Sequence, residues 1–267
     1  MSFRKKIRES QDIVEIEEIG KEYFNQAKYQ KAILSFRRAL ELDPNNVRIM
    51  NNLAGAILLN GNYSDAVRIW EEILKIDPKF YPALTSIGSA YANKNNYEKA
   101  MKYWKKAHEI YPEGIDAIHN LAFGYMKLGE LKKAIPYFEK ELALDEKSFD
   151  ALVQLGTLYI TLNKNKMAIE LLSRATEIND TSIGVWASLA ALYEKNEQPE
   201  KAKNCVEKIL EIDPKYVKGW KYLGYYYLST GNLESSLEYF EKALKLDSKD
   251  ENIKDTLKEL NKIINKK

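Results

Sequence analysis

The sequence predicts an all-α fold, a solenoid of stacked helix pairs, and three observations predict it. The first is a period. Leu42-Asp43-Pro44 recurs as Ile76-Asp77-Pro78, Ile110-Tyr111-Pro112 and Ile212-Asp213-Pro214, at spacings of 34, 34 and 102 residues, the last being three periods. The second is the placing of apolar residues within each period, which follows one face of a helix. The third is composition. Across 267 residues, 45% are hydrophobic and 30% charged, as in a folded, helix-prone chain and not a disordered one.

A frame opened at Ile13 gives seven windows, 13–46, 47–80, 81–114, 115–148, 149–182, 183–216 and 217–250. Residues 1–12 precede them as an N-terminal extension, and 251–267 follow as a C-terminal capping helix. Length alone suggests about two domains, but no linker or low-complexity stretch divides the windows.

Each window reads in order as helix, turn, helix, stop. The fourth and seventh places are apolar, as in Leu84 with Ile87 and Trp220 with Leu223. The eighth holds Gly20, Ala54, Gly88, Ala122, Gly156, Ala190 and Gly224, where only a small side chain lets two helices approach. Tyr fills the eleventh place in every window but the second, which has Ile57. The turn carries Gly61, Asn95, Gly129, Asn163 or Gly231, residues tolerant of the left-handed conformation. The second helix brings Ala32, Ala66, Ala100, Ala134, Ala168, Ala202 and Ser236 to face the small eighth place. Four places later comes a large group, Phe36, Trp70, Trp104, Phe138, Leu172, Val206 and Phe240. A proline near the window's end is expected to stop that helix.

This pattern resembles the tetratricopeptide repeat, with Asn-Leu-Ala at 52–54, Ile-Gly-Ser-Ala-Tyr at 87–91 and Tyr-Leu-Gly-Tyr-Tyr-Tyr at 222–227 as close matches. The resemblance implies a right-handed α-α superhelix with the first helices on its inner face. It also implies a role in holding other proteins.

Three departures fall late in the array. Glu141 stands where other windows have Ala39, Ala107 or Ala175; Glu146 and Asp180 replace the stop proline; Pro136 lies inside a second helix. A buried carboxylate is costly, so Glu141 is expected to be hydrated or paired with a base. The region reads as a repacked joint or as a functional hinge. At the C-terminus, Ile253, Leu257, Leu260 and Ile264 form an apolar stripe with lysines on the remainder. That stripe suits a cap on the last repeat, or a helix that meets a membrane or partner.

Catalysis needs convergent titratable groups, and none is apparent. The chain has two histidines, His108 and His119, and one cysteine, Cys205, which reads as a half-exposed packing thiol. No metal-ligand spacing or phosphate-cradling loop occurs, so the expectation is a protein without enzyme activity or cofactor. A disulfide framework is excluded, and a reducing cytoplasm is the default compartment. No run approaches the ~18 apolar residues of a membrane span. The net charge is +2. Setting aside the ends, with 4 and 5 basic and 2 and 3 acidic residues, leaves 32 basic against 34 acidic in the array. Nucleic acid is therefore not an expected partner.

The resemblance places ligand contacts at the second, fifth, sixth, ninth, twelfth and thirteenth places of each first helix. There Asn52, Asn120 and Gln154 offer amides to a ligand backbone, or are polar residues facing water. Leu58, Leu59, Phe123, Met126, Val153 and Ile160, with Ala187 and Ala191 further along, form an apolar middle, or pack on neighbouring repeats. Thr157, His119 and Arg48 complete the expected peptide-binding set, and Asp116, Asp150, Lys218 and Lys221 grade its charge. Chaperone-tail adaptors of the family require Lys, Asn, Asn, Lys and Arg at defined places. This chain supplies Glu17, Lys21, Asn52, Pro82 and Ser86 in one frame and Asn51, Gly55, Ser86, Asp116 and Asn120 in the next. That carboxylate clamp is not expected. The expected function is a protein-interaction scaffold with a peptide in the groove. Its rival is self-assembly through the convex row Ile69, Tyr103, Tyr137, Leu171 and Tyr239.

Overall fold

The computed structural model describes residue 7 and residues 10–265. Among them are fifteen α-helices and no strand, grouped in two compact units, 1–144 and 145–267. The first unit holds α1 (Ile13–Asn25), α2 (Tyr29–Leu42), α3 (Val47–Leu59), α4 (Tyr63–Ile76), α5 (Tyr81–Ala92), α6 (Tyr97–Ile110), α7 (Ile115–Lys127) and α8 (Leu131–Leu144). The second holds α9 (Phe149–Thr161), α10 (Asn165–Ile178), α11 (Ile183–Lys195), α12 (Pro199–Ile212), α13 (Val217–Ser229), α14 (Leu233–Leu246) and α15 (Glu251–Ile264). The first helix of every pair opens at the residue that opens a sequence window. The division between the units falls beside Glu146, one of the places that lack the stop proline. Most of the N-terminal extension lies outside the described residues.

Within a pair, the closing contact is a large side chain laid over a position with little or no side chain. A methyl group added to Gly20 would stand 2.5 Å from the ring of Phe36, and one on Gly224 would stand 2.7 Å from Phe240. Trp104 covers Gly88 and Leu172 covers Gly156 in the same way. The small twentieth place faces this position, as in Ala168 against Gly156, and the large residue four places on fills the space. The alanines of the twentieth place are fully buried. Ser236 fits among them because its hydroxyl donates to the carbonyl of Gly224 at 2.8 Å. Tryptophan brings a polar nitrogen that needs an acceptor when buried. Trp70 donates to Asn51 at 2.9 Å, and Trp104 to the carbonyl of Thr85 at 3.3 Å.

A second contact repeats at the eleventh place. Tyr91 stacks on Tyr103 at 5.9 Å, Tyr125 on Tyr137 at 5.6 Å and Tyr227 on Tyr239 at 5.3 Å. Leu171 is buried, and Ile69 packs against the core. The row that motivated self-assembly packs in part within its own unit, with Leu171 buried and Ile69, Tyr103, Tyr137 and Tyr239 half-buried. Lysines eight residues beyond the tyrosine lie over its ring: Lys31 on Tyr23, Lys99 on Tyr91, Lys133 on Tyr125 and Lys201 on Tyr193, at 5.0 to 5.7 Å. Where the eleventh place is Ile57, the corresponding residue is Asp65.

All seven turns use the left-handed conformation, including two that the composition did not flag. Ala27 and Glu197 have φ of 56°, as does Asn163, beside Gly61 at 90°. The next amide then returns to the eleventh-place carbonyl, as in Lys28 to Tyr23 at 2.9 Å and Gln198 to Tyr193 at 2.9 Å. The second helices stop at the same place with or without proline. Asp77, Asp145, Asn179, Asp213 and Asp247 each accept from the amide two residues on, at 3.0, 3.0, 3.0, 2.9 and 3.2 Å. At these five windows a local side-chain turn accompanies the stop, so the helices before Glu146 and Asp180 end without proline. Pro136 lies within α8 without breaking it.

In the second unit, α15 seals the apolar end of α14. Ile253, Leu257 and Leu260 are buried against Phe240 and Ala243. Its outer face carries Glu251–Lys254 and Asp255–Lys258 pairs at 2.7 and 2.9 Å.

Two stability measurements follow. Glycine at position 197 removes the steric cost of a left-handed Glu, so Glu197→Gly is expected to raise the urea midpoint by the equivalent of about 1 kcal/mol. Gly224→Ala drives a methyl into Phe240 and is expected to lower it by about 1–3 kcal/mol.

Candidate functional site

In the first unit, neighbouring first helices touch, α1 with α3 and α5 with α7. Their shared face encloses a hollow of about 370 Å³. Its apolar lining comes from Phe24, Leu58, Leu59, Trp70 and Ala90, and its polar lining from Thr85, Ser86, Ser89, Asn93, Asp116 and Asn120. Gly55 lies between them: a methyl group there would meet only Phe24, at 3.8 Å. This glycine is not needed for helix contact, unlike Gly20 or Gly88, and its missing side chain keeps the hollow open. A smaller recess of about 160 Å³ adjoins Lys21, Phe24, Asn51, Asn52 and Gly55.

The expected site residues divide by what they already touch. Leu58 and Asn120 line the hollow, and Asn52 lines the adjoining recess. The amide of Asn52 is partly engaged, donating to Glu17 at 3.4 Å, while Glu17 also takes Lys21 at 2.8 Å. That carboxylate holds the ammonium of Lys21 above its usual range. Arg48 is exposed on the first turn of α3, outside the hollow. Phe123 is half-buried, edge-on to Tyr97 at 6.3 Å, with Lys127 over its ring at 5.0 Å. Met126 is half-buried on the same helix.

His119 is turned toward the interior. Its Nδ1 lies 3.0 and 3.3 Å from the two oxygens of Glu141, and its ring meets Phe138 edge-on at 5.9 Å. The buried carboxylate, 2% exposed, thus has the basic partner that its burial demands. His108 is edge-on to Tyr137, and burial together with Lys140 lowers its pKa, which favours the neutral ring.

In the second unit, Gln154 and Ile160 are half-buried on α9, and Thr157 is exposed with its hydroxyl donating to the carbonyl of Val153 at 2.8 Å. Further along, Tyr222 donates to Glu194 and Tyr226 to Glu200. Burial and Glu194 raise the pKa of Tyr222, which stays a phenol. Lys221 is held by Asp250 at 2.6 Å.

Sequence reasoning missed Phe24, Gly55, Ser86, Ser89 and Asn93 as site residues. All occupy the ligand-facing places of the first helices; they were passed over because they are small, or lie outside the amide and apolar middle. Among the described residues no helix is long and apolar enough to cross a membrane.

Three family models, each described as tetratricopeptide repeat, match this chain: one over residues 23–93 and 125–193, one over 81–113 and 217–250, and one over 183–216. No curated protein matches it. Among solved structures, MamA is similar at 26% identity and a TM-score of 0.55, covering 61% of this chain and 95% of that one. A tetratricopeptide protein, YrrB, described as having an unusual peptide-binding site, is 21% identical with a TM-score of 0.60, over 71% of this chain and 97% of that one. The C-terminal part of a repeat protein from Cytophaga hutchinsonii is 19% identical with a TM-score of 0.74, over 89% of this chain and 98% of that one. The last two show likeness of fold alone.

Cys205 is buried, not half-exposed, and burial pushes its thiol up to about 11. At pH 8 its thiolate fraction is then roughly a hundredfold below that of an ordinary cysteine. Labelling with Ellman's reagent at that pH is expected to be at least that much slower in the native protein than in urea. Equal rates would show an accessible thiol.

Proposed function

Because this chain belongs to the tetratricopeptide repeat family, whose members are generally non-catalytic interaction scaffolds, we propose that it holds a segment of a partner protein. The segment lies on the first-helix face of residues 13–127. The observation that carries this reading is the hollow kept open by Gly55. Phe24, Leu58 and Leu59 offer apolar area there, and Leu59 is 52% exposed in the free chain. Covering what is left exposed of one such side chain contributes about 1 kcal/mol. Asn93 and Asn120 present side-chain amides that pair with a ligand backbone whatever its sequence. Asn52 plays a smaller part, since Glu17 already takes its amide.

The reading supports a site-specific test. A photo-crosslinking residue at Ser89, inside the hollow, is expected to capture a partner that the same residue at Arg68, exposed on α4, does not. Equal capture at both positions would remove the groove from the mechanism.

A further inference from the structure

We infer that the segment held in this hollow carries a Lys or Arg side chain beside a bulky apolar one; the inference rests on the groove reading above and adds its chemistry. Asp116 is the only titratable side chain among the residues that line the hollow. It is exposed in the first turn of α7. Several helix carboxylates of this chain meet a lysine three or four positions on, as in Glu238–Lys242 and Glu251–Lys254. Three positions beyond Asp116 stands His119, which turns to Glu141, and four beyond stands Asn120. Among the described residues no basic side chain forms an ion pair with Asp116.

An exposed carboxylate next to an apolar wall selects the sign of its ligand. A ligand that covers the wall excludes water and lowers the local dielectric, which strengthens a pair formed there. A basic side chain gains that attraction. An acidic one is repelled, and no Lys, Arg or His lines the hollow to offset the repulsion. Beside the charge, Phe24, Leu58 and Leu59 take an apolar side chain, and the volume of about 370 Å³ lies within the usual range of ligand pockets. The two preferences together specify a basic-apolar motif, the opposite of an acidic chain terminus.

The test is selection from a displayed library of random dodecapeptides on the full chain and on two variants. Gly55→Leu fills the hollow where a methyl group meets only Phe24, and Asp116→Lys reverses the charge. Far-UV circular dichroism checks that both variants fold, with Asp116→Asn as the milder charge variant. The full chain is expected to enrich peptides with Lys or Arg within two positions of Leu, Met or Phe. Gly55→Leu is expected to abolish that enrichment. Asp116→Lys should bind a selected basic peptide at least tenfold more weakly by fluorescence anisotropy, and Asp116→Asn several-fold more weakly. Peptides lost on Gly55→Leu but showing no basic preference, or bound equally by the Asp116 variants, would overturn this inference and leave the groove reading intact. Peptides that still bind Gly55→Leu, or no selection at all, would overturn both.

Discussion

Each helix pair depends on one steric arrangement: a ring or branched side chain of the second helix rests where the first helix has no side chain, or only a methyl. Phe36 on Gly20, Trp104 on Gly88 and Phe240 on Gly224 fix how closely the two backbones approach. The tyrosine stacks and the lysines over them form around that contact, on the rim of the same hairpin. With the pair set, its remaining apolar surface is buried only by the next pair, and the first helices are left side by side with one face toward solvent. In the first unit that face is where the hollow opens. Local packing thereby determines where a ligand is able to sit.

Much of the fold was legible because the period forces the same physical problem to be solved seven times. Helix starts, the buried alanines and the left-handed turn positions follow from recurrence, even where the residue is an unfavourable one. Ala27 and Glu197 adopt the left-handed conformation because the surrounding hairpin demands it, and composition does not announce such residues. The stop was legible only in part, because proline is the conspicuous residue at the window's end. The Asx turn one place earlier is present both with and without it, and Asp145 or Asn179 suffices. Cys205 was placed on the correct helix, but its burial depends on neighbours that a register cannot specify.

The candidate site was legible to a lesser degree. Register tells which residues share a face, and Leu58 and Asn120 were identified on that basis. It does not tell which side chains are already partnered across 22 or 35 residues of sequence, as His119 is by Glu141 and Asn52 by Glu17. Nor does it single out a residue whose contribution is an empty space. Register puts Gly55 one place beyond the packing glycines but does not show that the space beside it is empty.

That difference separates structural from functional sparsity in this chain. Glycines at the eighth place give up a side chain so that a ring of the same hairpin fits, and their neighbours fill the space completely. Gly55 is one position beyond Ala54 and faces the hollow, where nothing of its own hairpin fills the space. The same contrast holds for charge. Several helix carboxylates pair with a lysine within a turn, whereas Asp116 borders the hollow with no ion pair to a basic side chain among the described residues. An unfilled volume and an unneutralised charge on one face support a role completed by another molecule.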